Sequence, residues 1–320
     1  AAMAQNTVKN VKNQRRIGRS GTFARDMSRS KYLYLLFLPT IVYFFVFAYM
    51  PLYGLLIAFK DYNPYQGIWG SPWAGLRHIR DFLHSVYFWR LIYNTITINI
   101  YDLLVGFPLP VILALMINSV KNNFMKRSVQ TIVYLPHFIS VIVVSGMLVS
   151  FLSPSSGIIN YLIKTLGGKA VHFLAEPGWF KSIYVLSGVW QNAGWNSIIY
   201  IAALAGIDAQ LYESATIDGA NNWKQLIYIT IPGILPTIII MLILRIGSLF
   251  SVGFEKIILL YNPLTYKTAD VISTYVYRRG IQDADFSYST AIGLFNSLIN
   301  FAMLVLFNQF SRKISETSLW

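Results

Sequence analysis

Cysteine is absent from all 320 residues, which excludes disulfides, thiolate metal sites and cysteine nucleophiles. Charge is scarce as well. Only 12% of residues are Asp, Glu, Lys or Arg, against 55% hydrophobic residues and a mean hydropathy of +0.50. That balance excludes an ordinary soluble domain and points to the bilayer. Acids number 13 against 26 Lys and Arg, a formal charge of +13. A surplus of this size can signal nucleic acid, but these basic residues are distributed as in a membrane chain, so no nucleic acid is expected. A phosphate loop of the form G-x-x-x-x-G-K-[ST] is missing, since Gly167-Gly168-Lys169 lacks both the upstream glycine and the Ser or Thr. The chain is therefore expected not to be an enzyme and to carry no cofactor. His78, His84, His137 and His172 show no ligand spacing, so no metal is expected either.

What is present is apolar length. A helix needs about 20 largely apolar residues to cross the hydrocarbon. Six stretches reach that length, at 33–59, 91–117, 129–151, 181–205, 233–254 and 288–310, so the fold expected is an all-α membrane protein with about six transmembrane helices. The first stretch follows a basic leader, but it outruns a signal-peptide core and lacks a clear small-residue cleavage site; it reads as a retained span. Residues 1–32 hold eight Lys and Arg against Asp26 alone, and Lys121, Lys126 and Arg127 fall in the short loop at 118–128. By the positive-inside rule both termini are cytoplasmic. The expected organisation is a basic leader at 1–32 lying near membrane lipid, a six-span domain at 33–310 and a tail at 311–320. Pro39, Pro51, Pro108, Pro110 and Pro136 predict bent helices within the spans.

Between the fourth and fifth stretches, residues 207–232 are too polar for lipid and too helix-compatible for a slack loop. They read as two short helices meeting near Asp218 and Gly219, with the glycine free to take a positive φ and the aspartate available as a turn or N-cap residue. Ala215 and Ala220 keep the surface narrow. Glu213 offers a charge to a basic partner, and Trp223, Leu226 and Ile227 offer apolar anchorage. A solvated amphipathic loop is the plain alternative.

Polar residues inside spans are expensive and mark candidate sites. Asp102 and Arg245 are the ionisable ones in mid-span, and their opposite charges allow them to pair. The fourth stretch concentrates Trp190, Gln191, Asn192, Trp195 and Asn196. Aromatic faces suit the C–H surface of a sugar and amides suit its hydroxyls; hydrogen bonding between helices accounts for the same residues equally well.

Glu213, Ala215, Asp218, Gly219, Ala220, Ile229, Pro232 and Pro236 match the loop that permease subunits of binding-protein-dependent ABC importers present to their ATPase, and the chain resembles that family. Ser214 and Leu226 depart from it, standing where the motif has a second Ala and a Phe. The likeness runs from about Leu91 to Phe310. The stretches Tyr261-Asn262-Pro263-Leu264 and Tyr275 to Gly280 resemble the polysaccharide-uptake branch that includes the alginate importer. The resemblance implies a type I ABC importer permease fold in the bacterial inner membrane, with ATPase coupling through Glu213, Ala215, Asp218, Gly219, Ala220, Trp223 and Pro232. It implies sugar contacts around Trp190, Asn192, Trp195, Asn196, Ser251, Glu255 and Lys256. It further implies a second homologous permease subunit, two ATPase subunits carrying ATP and Mg, an extracytoplasmic solute-binding protein, and inward transport of an oligosaccharide. An acidic oligosaccharide such as alginate would suit Arg278 and Arg279. An ion-coupled secondary transporter is the alternative, though no inverted repeat is visible.

Overall fold

The computed structural model describes residues 30–315. The leader expected at 1–32 is thereby left outside up to residue 29, as are the last five residues of the tail. The chain divides after Leu56 into two compact units. In the first, α1 (Lys31–Phe44) leads into a π turn at Phe45–Tyr49 and then a 3-10 stretch that begins at Met50. Its sequence, KYLYLLFLPTIVYF, is apolar on every side, as a lipid-facing span requires.

The second unit is a bundle around one central helix. α2 (Phe88–Gly106) runs on into α3 (Pro108–Ser119), where Pro108 sits in the first turn and has no intrahelical N–H bond to lose. α4 (Asn123–Tyr134) is N-capped by Asn122, whose side chain accepts from Phe124 and Met125 N–H. A 3-10 turn at Leu135–Phe138 follows, and α5 (Val141–Phe151) leaves at 93° to the incoming direction. The stretch at 129–151, expected as one span, is thus an elbow. Pro136 bends the chain, Ile139 is extended, and Ser140 restarts the helix by accepting from Val143 N–H at 3.4 Å.

α6 (Pro177–Ala205) is the 29-residue centre, packed by α2, α3, α4 and the later α9. A hairpin joins it to α9: α7 (Ala209–Ile217), then α8 (Asn222–Gln225), a π turn at Leu226–Thr230 and α9 (Ile231–Ile246). The chain closes with α10 (Phe254–Leu260), α11 (Ile272–Tyr277) and α12 (Phe286–Ser315).

Among the described residues, four helices are long and apolar enough to cross a membrane: Lys31–Phe59, Phe88–Ser119, Asn222–Ile246 and Phe286–Lys313. The elbow makes a fifth if its arms count as one span. The six expected spans are therefore not all alike. α6 has the length, but Lys181, Gln191, Asn192 and Asn196 dilute its apolar character, because neighbouring helices rather than lipid cover much of it. The fifth span also ends at Ile246 and not at residue 254.

The segment after α10 is held by buried polar groups. Asp270 is fully buried and accepts from Arg278 at 2.8 and 2.9 Å, from Arg90 at 3.0 Å and from Thr274 at 2.9 Å. Asn94, on α2, donates to the Lys267 and Asp270 carbonyls at 3.0 Å each, and Thr95 accepts from Ile272 N–H at 3.2 Å. Phe82, Leu91, Ile272, Tyr275 and Ile292 pack beneath this network. Residues that look out of place in an apolar helix are its fasteners.

Candidate functional site

A cavity of about 860 Å³ opens among α2, α6, α9, α10 and the link between the last two. Its principal wall is a stripe that winds along α6 through Tyr184, Gly188, Asn192, Asn196 and Tyr200, each about one turn on from the last. Gln191 flanks that stripe. Asn99 and Asp102 of α2 and Arg245 of α9 face it.

Asp102 and Arg245 form an ion pair. Gly106, one turn on from Asp102, makes room for it, since a Cβ there would stand 2.7 Å from Asp102 Oδ1. The link from Gly247 to Gly253 is pinned from outside. Asn300 accepts from Phe250 N–H and donates to Ser251 Oγ, both at 2.9 Å, and Ser273 donates to the Val252 carbonyl at 2.8 Å. This fixes the start of α10 and turns Lys256 inward, where its Nζ donates to the Tyr184 carbonyl at 3.2 Å.

Of the expected sugar contacts, Asn192, Asn196, Ser251, Glu255 and Lys256 line the cavity. Trp190 and Trp195 do not. Trp190 lies two residues from Asn192 and so on the opposite face. Trp195 is taken up by the elbow, stacked flat on His137 with centroids 4.5 Å apart. The same elbow is tied to α6 by Gln191, which donates to the Ile139 carbonyl at 2.7 Å, and by a 3.1 Å bond between His137 Nδ1 and Asn192 Oδ1. Asn99, Tyr184, Gly188 and Tyr200 were not anticipated as lining residues. For the last three the signal was the four-residue spacing along α6, which the eye-catching tryptophans obscured; Asn99, on α2, gave none.

The hairpin has its own geometry. α7 ends in a Schellman motif: Gly219 N–H donates to the Thr216 carbonyl at 3.1 Å and Ala220 N–H to the Ala215 carbonyl at 2.8 Å, with Gly219 at φ +78°. The cap of the next helix is Asn221, which accepts from Lys224 N–H at 2.9 Å, rather than Asp218. Tyr212 bonds Thr230 at 3.0 Å, and Gln225 donates to Thr216 and to the Ala220 carbonyl, so the two arms form one block. Glu213, Asp218, Gly219, Trp223 and Pro232 are exposed, while Ala215 and Ala220 are half-buried at the corner. The second arm is not short, because α8 continues without interruption into α9.

Arg278 and Arg279, the pair expected to suit an acidic oligosaccharide, are both engaged by acids of the chain. Burial opposes the Arg278 charge, but hydrogen bonds to Asp270 and Tyr261 outweigh it and raise its pKa above the ordinary value. Arg279 holds Asp283 at 3.1 Å.

A central polar cavity walled by long apolar helices, with a rigid polar hairpin between two of them, defines a helical membrane transport component. The chain belongs to the family of binding-protein-dependent transport system inner membrane components, which matches residues 106–316. It is a permease component of the inner membrane and has the type I ABC permease fold. It is 41% identical to protein LplB of Bacillus subtilis (strain 168), over 95% of each chain. It is 40% identical to the polygalacturonan/rhamnogalacturonan transport system permease protein YteP of the same organism, over 91% of each. Among solved structures it is similar to a chain of a bacterial ABC transporter involved in the import of the acidic polysaccharide alginate. That match has a TM-score of 0.85 and 46% identity, covering 92% of this chain and 99% of the other. The same likeness holds for the alginate transporter in complex with an alginate pentasaccharide-bound periplasmic protein.

Proposed function

We propose that this chain forms part of the passage for an acidic oligosaccharide in an ATP-driven importer. The observation that carries the reading is the amide- and hydroxyl-lined cavity, in a chain so similar to a permease of an alginate importer. Amides and tyrosine hydroxyls match sugar hydroxyls, and a cavity of this size accommodates a short segment of chain. A solute-binding protein delivers the sugar from outside, and a second permease subunit completes the passage. Of two ATPase subunits, carrying ATP and Mg, one docks on the hairpin formed by α7 and α8. Glu213 and Trp223 offer it charge and apolar surface, and the hairpin faces the cytoplasm, in keeping with the basic loop at 118–128 on the same side. The permease itself hydrolyses nothing.

The test is uptake into proteoliposomes holding the assembled complex. Oligouronate uptake that requires ATP and the binding protein is expected. Uptake driven by an ion gradient without ATP would overturn the reading.

A further inference from the structure

Four charged side chains line the cavity: Asp102, Arg245, Glu255 and Lys256. They are not equivalent. Arg245 is neutralised by Asp102. Glu255 lies in the first turn of α10 with its side chain exposed to water, which screens it. Lys256 is only 7% exposed, yet among the described residues no carboxylate lies within salt-bridge distance of its Nζ. Its partners are the Tyr184 carbonyl at 3.2 Å and the face of the Tyr184 ring at 5.3 Å. An ammonium has three donors, and this one spends a single donor on a neutral acceptor. A carbonyl dipole and a ring quadrupole orient the charge without cancelling it. A buried cation without a counter-ion is a standing demand for an anion.

The approach to that cation is open. Gly188, one turn along α6 from Tyr184, leaves the ammonium uncovered: a Cβ there would stand 3.7 Å from Nζ. Any larger side chain at 188 would cover the ammonium. Arg90, Lys181, Arg278 and Arg279 do not line the cavity: Arg90 and Arg278 pair with Asp270, Arg279 pairs with Asp283, and Lys181 donates to Thr97 beside the Tyr93 ring.

We infer, resting on the importer reading, that Lys256 is the specificity-determining residue of the cavity: its ammonium receives the carboxylate of an acidic sugar that approaches past Gly188. Arg245 is not the reader of charge, because Asp102 already answers it. The amides of the α6 stripe then bind hydroxyls common to acidic and neutral sugars, and Lys256 supplies the discrimination.

The experiment compares a uronic-acid trisaccharide with its carboxyl-reduced, neutral counterpart by equilibrium dialysis on the detergent-solubilised complex. The binding protein is omitted so that its own selectivity does not enter. In Lys256→Gln the affinity for the uronate falls at least about tenfold, the scale of one charge-assisted hydrogen bond, while that for the neutral sugar is little changed. Lys256→Arg recovers most of the preference. Retained binding of the neutral sugar shows that Lys256→Gln is folded, so a purely structural tie between α10 and α6 would not produce this pattern. An unchanged acidic-to-neutral ratio in Lys256→Gln overturns the assignment while leaving ATP-driven uptake, and with it the importer reading, untouched. A parent complex that neither binds nor takes up either sugar overturns that reading and the assignment together.

Discussion

His137 and Trp195 lie face to face, with ring planes 6° apart and centroids separated by 4.5 Å. The histidine sits in the 3-10 turn of the elbow and the tryptophan on the central helix, so the stack joins the 93° bend to the main wall of the cavity. One residue from Trp195, Gly194 lets α4 approach so closely that a Cβ there would overlap the Val133 carbonyl oxygen. Close backbone approach at a small residue is how helices associate when lipid removes the hydrophobic incentive.

Replacing that glycine should force the elbow off α6. Gly194→Ala is expected to destabilise the chain by about 1–3 kcal/mol through overpacking, read as a lower unfolding temperature in detergent. Gly146→Ala is the control, because a Cβ at 146 meets nothing within 4 Å. Equal effects of the two substitutions would remove the close approach from the account.

The buried carboxylate of Asp270 serves two guanidiniums at once, so its loss leaves two cations in place of one compensated cluster. Asp270→Asn is expected to cost about 3–5 kcal/mol, the scale for breaking a buried pair by removing one partner. Arg90→Gln should cost less, since the Arg90 side chain is one-third exposed to solvent. Protease resistance of residues 262–282 would report both changes, and a larger effect at Arg90 would contradict the ranking.

At the hairpin corner, the difficulty for any side chain is conformational rather than spatial. Gly219 has φ +78° and nothing within 4 Å of a built Cβ. Gly219→Ala should therefore cost about 1–2 kcal/mol locally through left-handed backbone alone, with partial loss of ATPase co-purification. Gly219→Asp should abolish both co-purification and ATP-driven uptake while the permease remains inserted. Full uptake by Gly219→Asp would refute a coupling role for the corner.

Asp102 and Arg245 should behave as a unit. In a double-mutant cycle on unfolding, Asp102→Asn and Arg245→Gln are expected to show a coupling energy of about 0.5–3 kcal/mol, each single change being worse than its share of the double. Strict additivity would mean that the pair contributes nothing to holding α2 against α9.

The long apolar runs made α2 with α3, α9 and α12 legible in the sequence, because lipid demands uninterrupted hydrophobicity and little else looks like it. The same criterion took 129–151 as one span and not as an elbow. Pro136 announced a bend, but the size of that bend depends on Gln191 and Trp195, which are distant in sequence and hold the far arm from α6. The hairpin corner was readable from Asp218-Gly219-Ala220, since only glycine suits the conformation the turn requires. Its cap was not, because Asp218 and Asn221 are equally capable and only the path of the chain chooses between them. In the cavity, composition drew attention to Trp190 and Trp195, whereas helical phase would have selected Gly188, Asn192 and Asn196. Lys256 was picked out by the family resemblance alone, as one of several sugar contacts; its burial was not legible, since it arises from the link that Asn300 and Ser273 pin from outside.

Asn222 to Ile246 is one helix of 25 residues, about 37 Å from end to end. Trp223 stands at its first turn, exposed, and Arg245 stands at its last, in the cavity wall. The helix is therefore a lever arm whose two ends carry different chemistry. A tilt of a few degrees imposed at the tryptophan displaces the guanidinium sideways by ångströms, enough to strain or release its grip on Asp102 without any unfolding between.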